Sequence, residues 1–252
     1  MKRQLFILSA VIIGMMLSSC VININGETVK GDGNVVTRAY DISNFDEIIC
    51  ALPATVNYTV ADTYSCTVRV DSNMLEYIDI KVKDGGLTIG QPKSKDGIYL
   101  NFSATEFVID ITSPSLNEIT LAGSGDINVL SPLQTQKLEV TVAGSGNVAF
   151  KEDVNIQQME LNVAGSGDIL VDKGNIRKLE VDIAGSGDIV AHAEAQDVEA
   201  NVMGSGDITV NVSGSLEYDV MGSGDIHYYG DAKVNGEVAG SGSLNRIDAP
   251  SR

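Results

Sequence analysis

The chain has no tryptophan, two histidines and three cysteines, and aromatic residues make up 5% of its 252 positions. So little histidine leaves scant material for a His-based metal centre, and so few aromatics leave little for sugar-stacking platforms. His192 and His227 stand on different repeats without a recognisable partner set, and both read as surface residues. Tyr218, Tyr228 and Tyr229 are the one aromatic concentration; by parity the first two are core fillers and Tyr229 is displayed. No cysteine spacing of the metal-binding kind occurs. Basic residues are scarce, 17 Lys and Arg against 34 Asp and Glu, for a net charge of −17. Such a surface repels nucleic acid and anionic lipid headgroups, so neither is an expected partner. The apolar fraction, 43%, is still ample for one sizeable core.

The long apolar run from Leu5 to Leu17 follows Lys2 and Arg3 and ends in Ser-Ser-Cys. That is the layout of a secretory signal, too short in its apolar core for a confident membrane span. "LSSC" resembles the lipobox of bacterial lipoproteins, which implies a signal peptide over 1–19 and lipidation of Cys20 as the mature N-terminus. Loss of the signal removes Lys2 and Arg3, leaving 15 basic against 34 acidic residues, near −19. Contact with a membrane is then expected through the N-terminal lipid and not through the protein face. Cys50 and Cys66 remain as an even pair in an oxidising compartment, where a bridge would add about 3 kcal/mol; two buried free thiols are the alternative.

What the chain has in abundance is one phrase. AGSGD or a close variant occurs seven times, and its first glycines are Gly123, Gly144, Gly165, Gly185, Gly204, Gly222 and Gly240, spaced 21, 21, 20, 19, 18 and 18 residues apart. A period near twenty indicates stacked coils, and is too short for strand–helix–strand units, which need about 30 residues. Apolar residues alternate on both sides of each phrase: Leu138, Val140 and Val142 before Gly144, then Val148 and Phe150 after it. Period two predicts strands with one buried face. The parity survives the glycines, so the chain bends there without turning its buried face outward. These features predict an all-β, single-stranded parallel β-helix with coils of about 18–21 residues, in which like residues stack on like. An antiparallel meander with Gly-Ser-Gly-Asp hairpins is the competing arrangement.

Stacking in register would align two outward acidic rows. One holds Glu118, Glu139, Glu160, Glu180, Glu199 and Glu217; the other holds Asp126, Asn147, Asp168, Asp188, Asp207 and Asp225. At a spacing of about 4.8 Å, adjacent charges in water repel by about 0.9 kcal/mol before screening. Carboxylates beside glycine-rich backbone suit Ca²⁺, so these rows are candidate cation ligands. The plainer reading is that the Asp side chains accept hydrogen bonds from turn amides and the Glu row keeps a face soluble. The glycine-rich repeat of calcium-binding β-rolls is not matched in period or glycine count. The phrase's serine, from Ser124 to Ser241, is expected to stack as a hydrogen-bonding ladder, since no repeat supplies a base beside it.

Upstream, residues 20–38 read as a lipidated N-terminus and polar linker, and 39–250 as the folded domain. From "DISNFDEIICALPATVNYTV" onward, short alternating strands separated by turns such as Asp84-Gly85-Gly86 read as irregular first coils closing the N-terminal end. "VNGEVAGSGSLNRIDAP" at the other end loses the Glu and Asp and puts Gly236 in a core slot.

"ISNFDEIICALPATVNYTV", "LEYIDIKVKDGGLTI", "SPSLNEITLAGSGDINV" and the serial G-S-G-D coils together resemble the family called the putative auto-transporter adhesin head GIN domain, over about residues 39–245. The resemblance implies a parallel β-helix on a cell-envelope lipoprotein, brings no catalytic residues and requires no cofactor. Auto-transporters carry a C-terminal membrane barrel, for which this chain leaves no room, so Cys20 is the expected anchor.

Three function classes follow. A non-catalytic binding or adhesion module, with a glycan or an envelope protein as ligand, is preferred; a purely structural envelope protein comes second and a polysaccharide-cleaving β-helix enzyme third. Against catalysis, the acids repeat evenly and do not converge. The outer membrane is the expected site, and "VININGE" after Cys20, lacking an acidic run, tilts toward its periplasmic side without fixing the face. Open sheet ends make homo-oligomers by sheet association a further expectation.

Overall fold

The computed structural model describes residues 27–92 and 100–249. The expected signal peptide and Cys20 lie outside the described residues. Nine strands precede the first AGSGD bend's coil: β1 (Thr28–Lys30), β2 (Val35–Tyr40), β3 (Glu47–Cys50), β4 (Thr55–Val60), β5 (Ser65–Asp71), β6 (Asp79–Lys83), β7 (Gly86–Gly90), β8 (Asn101–Ser103) and β9 (Phe107–Ser113). Twelve follow: β10 (Glu118–Leu121), β11 (Asp126–Val129), β12 (Leu133–Val142), β13 (Asn147–Phe150), β14 (Val154–Val163), β15 (Ile169–Val171), β16 (Gly174–Gly185), β17 (Ile189–Gly204), β18 (Ile208–Gly222), β19 (Ile226–Tyr229), β20 (Lys233–Gly240) and β21 (Leu244–Arg246). They wind into a parallel β-solenoid of about 6 turns.

Each regular coil has three faces. Face A precedes the AGSGD bend: Glu118 pairs with Glu139, Glu139 with Glu160, Glu160 with Glu180, Glu180 with Glu199 and Glu199 with Glu217. Face B follows the bend, where Ile127 stacks on Val148, then Ile169, Ile189, Ile208, Ile226 and Leu244. Face C begins at the first residues of β12 and continues through β14, β16, β17 and β18. All of these pairings are parallel, so the hairpin alternative fails.

The period-two pattern explains the interior. Val140, Leu161 and Val181 from face A and Val148, Ile169 and Ile189 from face B are all essentially buried. Each apolar side chain meets its counterparts in the coils before and after it, which buries a continuous core that one coil alone could not. At about 25 cal/mol per Å² of apolar surface, that shared burial is the main stabilising force.

The N-terminal end is irregular, and its form departs from simple loose coils. β5 runs antiparallel to both β2 and β9, and β6 antiparallel to β7. β7 and β9 pair in parallel with β3 and β4, which in turn carry β10 and β11. The chain therefore makes its first coil with β3 and β4, drops below it to build a cap, and climbs back to continue the stack. A 3₁₀ helix, Ser72–Tyr77, inserts Met74 into the core. The segment expected as linker contributes β1 and β2 to this end: Asp71 accepts the Gly33 N–H at 2.8 Å and Thr105 N–H at 2.7 Å. These amides, that of Thr105 above all, hold the Asp71 carboxyl below the usual aspartate range. At the other end β20 is exposed at every position, and Val234 and Val238 face solvent.

Candidate functional site

Asp126, Asn147, Asp168, Asp188, Asp207 and Asp225 do form a row along the solenoid, and each side chain is bonded to the next coil. The Asn147 N–H donates to Asp126 Oδ1 at 3.1 Å, Asp168 N–H to Asn147 Oδ1 at 3.0 Å, and Asp188 N–H to Asp168 Oδ1 at 2.8 Å. The series continues through Asp207 and Asp225 and ends where Ser243 N–H and Oγ–H both donate to Asp225 Oδ1, at 2.7 and 2.8 Å. A carboxylate accepting an amide gives a strong, charge-assisted bond. This is the plainer of the two sequence readings, with the acceptor's partner one coil away instead of in its own turn. Among the described residues, no group of three or more His, Cys, Asp or Glu side chains converges to hold a metal ion.

The glycines and serines of the phrase make a second ladder, from backbone alone. Ser166 and Gly167 N–H both donate to Gly144 O, at 3.0 and 3.2 Å, and the same fork recurs at Gly165, Gly204 and Gly222. Gly204 and Gly222 both adopt φ +141°, a conformation that side chains disfavour. A Cβ on Gly187 would lie 2.0 Å from Gly167 O. The bend needs two glycines because the coils approach too closely for any side chain. The serine hydroxyls expected to form a ladder instead point to solvent and make no hydrogen bond within the protein; the stacking bonds belong to their amides.

The Glu row is also in register, and Glu47 extends it by pairing with Glu118. Lys137 lies 3.2 Å from Glu160 and 3.7 Å from Glu139, and Lys178 lies 3.7 Å from Glu180. The protein thus supplies cations to its own ladder. Relief is partial: burial first, then neighbouring carboxylates, push the Glu139 and Glu180 carboxyls above the usual glutamate range. Burial likewise pushes Asp182 up, against a 2.9 Å bond from the Asn201 amide. Glu199 and Glu217 continue the row, and Glu199 adds to the repulsion that raises Glu180 and Asp182.

Cys50 and Cys66 are free thiols, which corrects the bridged reading. Cys50 ends β3 on face A, whereas Cys66 lies on β5 in the cap beneath face B, and both are buried. Burial pushes their thiols up to about 11 and about 12 respectively. A second correction concerns Tyr229, which is 7% exposed and not displayed. Its hydroxyl is 3.0 Å from Nδ1 of His192, so that histidine is half-buried and partnered and not a free surface residue. His227 is half-buried too, with Nδ1 shielded from solvent.

The feature that was not anticipated lies on face C. Its outward row reads Gln134, Asn155, Asn175, Glu194 and Asn211, paired in register. Three clefts, of about 490, 420 and 900 Å³, lie along this face, and Asn175 lines all of them. The amides of Gln134, Asn155 and Asn175 make no hydrogen bond with the protein, while Asn211 donates to His192 O at 3.3 Å. A signal for this row exists in the sequence. Gln134, Asn155, Asn175 and Glu194 each lie ten residues before the next phrase's first glycine, although their distance from the preceding glycine drifts from eleven to nine.

A closed apolar core carrying bonded ladders on its bends and an open groove on one face defines, among the described residues, a repeat-built β-solenoid that presents a surface. The chain belongs to the family described as putative auto-transporter adhesin, head GIN domain, whose model matches residues 44–232. Among solved structures, a putative lipid binding protein from Parabacteroides distasonis is 31% identical, with a TM-score of 0.77 over 88% of this chain and 100% of that one. A putative adhesin from Bacteroides fragilis is 26% identical, with a TM-score of 0.78 over 87% of this chain and 100% of its own. Another, from Parabacteroides merdae, is 25% identical with a TM-score of 0.74, covering 88% and 100%. No curated protein matches the chain. These relatives are described as adhesins or a binding protein and not as enzymes. An adhesin-head family is one of envelope or surface proteins, and no helix among the described residues is long and apolar enough to cross a membrane.

Proposed function

We propose that this chain is a non-catalytic binding module of the bacterial cell envelope, tethered by lipid on Cys20 at the outer membrane and presenting a rigid, acidic solenoid to its ligand. The observation that carries this reading is the division of labour among the faces. The aspartates of the AGSGD bend and Asp182 on face A are bonded to neighbouring coils, whereas the exposed amides of Asn155 and Asn175 on face C make no bond within the chain and are left for a ligand. The adhesin descriptions of the family and of its solved relatives support the same class of activity. A near −19 mature charge keeps nucleic acid and bare anionic membranes away, so lipid on Cys20 is the membrane contact.

Two measurements test this. The full chain is expected to bind saturably to cell-envelope fractions or mucin-coated surfaces, and the absence of saturable retention on either would leave the structural-protein reading in its place. Metabolic labelling with a clickable palmitate analogue is expected to mark the wild type and not Cys20→Ser; equal labelling of both would remove the tether.

A further inference from the structure

We infer that the groove on face C binds an extended neutral polysaccharide laid along the solenoid axis, with Asn155 and Asn175 as its central contacts. This rests on the binding-module reading and adds the ligand class and the site. The groove is continuous: the clefts of about 490 and 420 Å³ share Asn155, and the clefts of about 420 and 900 Å³ share Glu194. From Gln134 to Asn211 the outward row advances four coils, which at the spacing of neighbouring strands is roughly 19 Å. A ligand that meets the whole row must therefore be a chain and not a single small molecule.

The side chains select its chemistry. A carboxamide both donates and accepts hydrogen bonds, as a sugar hydroxyl does, so a row of them matches a polymer that carries such groups at regular intervals. A cationic polymer calls for acceptors alone, whereas this floor holds one carboxylate, Glu194, among amides. An anionic polymer meets a chain of net charge −17 and Asp153 and Asp172 on the groove wall. Of the two cations lining the groove, Lys173 is already paired, 3.0 Å from Glu152 and 3.9 Å from Asp153, and Arg177 is outnumbered by Asp153, Asp172 and Glu194. A peptide adding to a sheet needs an open edge, but the groove runs across the strands, where face C of β14 and β16 is paired on both sides. What is offered is side chains only. Tyr229, buried against His192, is not a stacking platform, so recognition is by hydrogen bonds and shape.

The test is affinity electrophoresis of the purified full chain through gels holding mannan, dextran, galactomannan or mixed-linkage β-glucan, with polygalacturonate as the anionic probe. Retardation by at least one neutral polymer is expected. It should weaken at least tenfold in Asn155→Ala/Asn175→Ala and in the size-matched Asn155→Asp/Asn175→Asp, and stay unchanged in Thr141→Ala/Asn162→Ala on face A. All substituted positions are exposed or half-exposed, and unchanged circular dichroism and melting confirm the fold. Retardation by no neutral polymer, by polygalacturonate alone, or undiminished in the face C variants would overturn the inference. Envelope or mucin retention that persists in those variants would then leave the binding-module reading standing, while its loss from the wild type as well would sink both.

Discussion

Replacing Gly187 by alanine tests whether the repeated phrase is a packing device. The added Cβ would sit 2.0 Å from Gly167 O and 2.9 Å from Gly167 C, whereas carbon and oxygen ordinarily meet no closer than about 3.3 Å. Relief requires the two coils to part by more than an ångström at a point where strands lie about 4.8 Å apart. That movement breaks the fork in which Ser186 and Gly187 N–H donate to Gly165 O at 2.9 and 3.3 Å. Two backbone bonds at about 1 kcal/mol each and overpacking of about 1–3 kcal/mol give a loss of roughly 3–5 kcal/mol. Domains of ordinary stability hold about 5–15 kcal/mol in all. The control is Gly90→Ala, whose Cβ would meet nothing within 4 Å; it should stay within about 0.5 kcal/mol of wild type. Because a solenoid's stability is approximately a sum over coils and their interfaces, urea unfolding should be paired with amide hydrogen exchange. Exchange is expected to quicken first in the coils on either side of residue 187. A Gly187→Ala protein within 1 kcal/mol of wild type would refute the steric account.

Three further outcomes follow. Asp188→Ala removes the acceptor of the 2.8 Å bond from Asp207 N–H and should cost about 1–2 kcal/mol by urea unfolding, while Asp188→Asn, which keeps an acceptor as Asn147 does naturally, should cost little; equal losses would show that charge alone matters. Glu139, Glu180 and Asp182 bind protons more readily folded than unfolded, so stability should rise as pH falls from 7 toward the ordinary glutamate value of 4.5, and Glu180→Gln should flatten that slope. Asp71, held low, works in the opposite sense and loses its contribution only on acidification below the ordinary 3.8, so a melting temperature falling steadily from pH 7 to 5 would contradict the ladder's strain. Cys50 and Cys66 should resist a thiol reagent at pH 8 in the folded protein and release two equivalents on unfolding without reductant; no release would reveal a disulfide.

The coil was legible because two independent periods agreed. Alternation placed Val140 and Val148 inside, and a glycine every 18–21 residues placed the bends, so parallel stacking followed once like residues had to meet like. Parity failed at the corner after face B. Ile226 is buried, Tyr228 only partly, and Tyr229 turns inward to reach His192, because the strand ends there and the next residues round the corner. The Asp row was visible, but its bonding was not, since a side chain reaching the next coil's amide is a contact between residues about 20 positions apart. The amide row stayed hidden for a different reason. Coils shorten from 21 to 18 residues by losing length between faces B and C, so counting forward from each glycine slides Gln134, Asn155, Asn175 and Glu194 out of alignment. Counting back from the next glycine restores these four, because the path from face C to the following bend keeps its length through Glu194; at Asn211 it is one residue longer, where β18 shifts register against β17. The cap was legible as strands but not as antiparallel ones, for nothing in β5 marks its direction.

The central claim is that AGSGD is the bolt of a scaffold, its aspartate bonded to the next coil and not reserved for a metal. The most direct test is thermal unfolding of the full chain with calcium, magnesium or sodium at matched ionic strength, and with chelator, for the wild type and Asp188→Asn. The account predicts equal shifts for all salts, from screening of the acidic rows alone, and the same shifts in the variant. A rise of several degrees with calcium alone, abolished by Asp188→Asn, would contradict it and make the aspartate row a binding site.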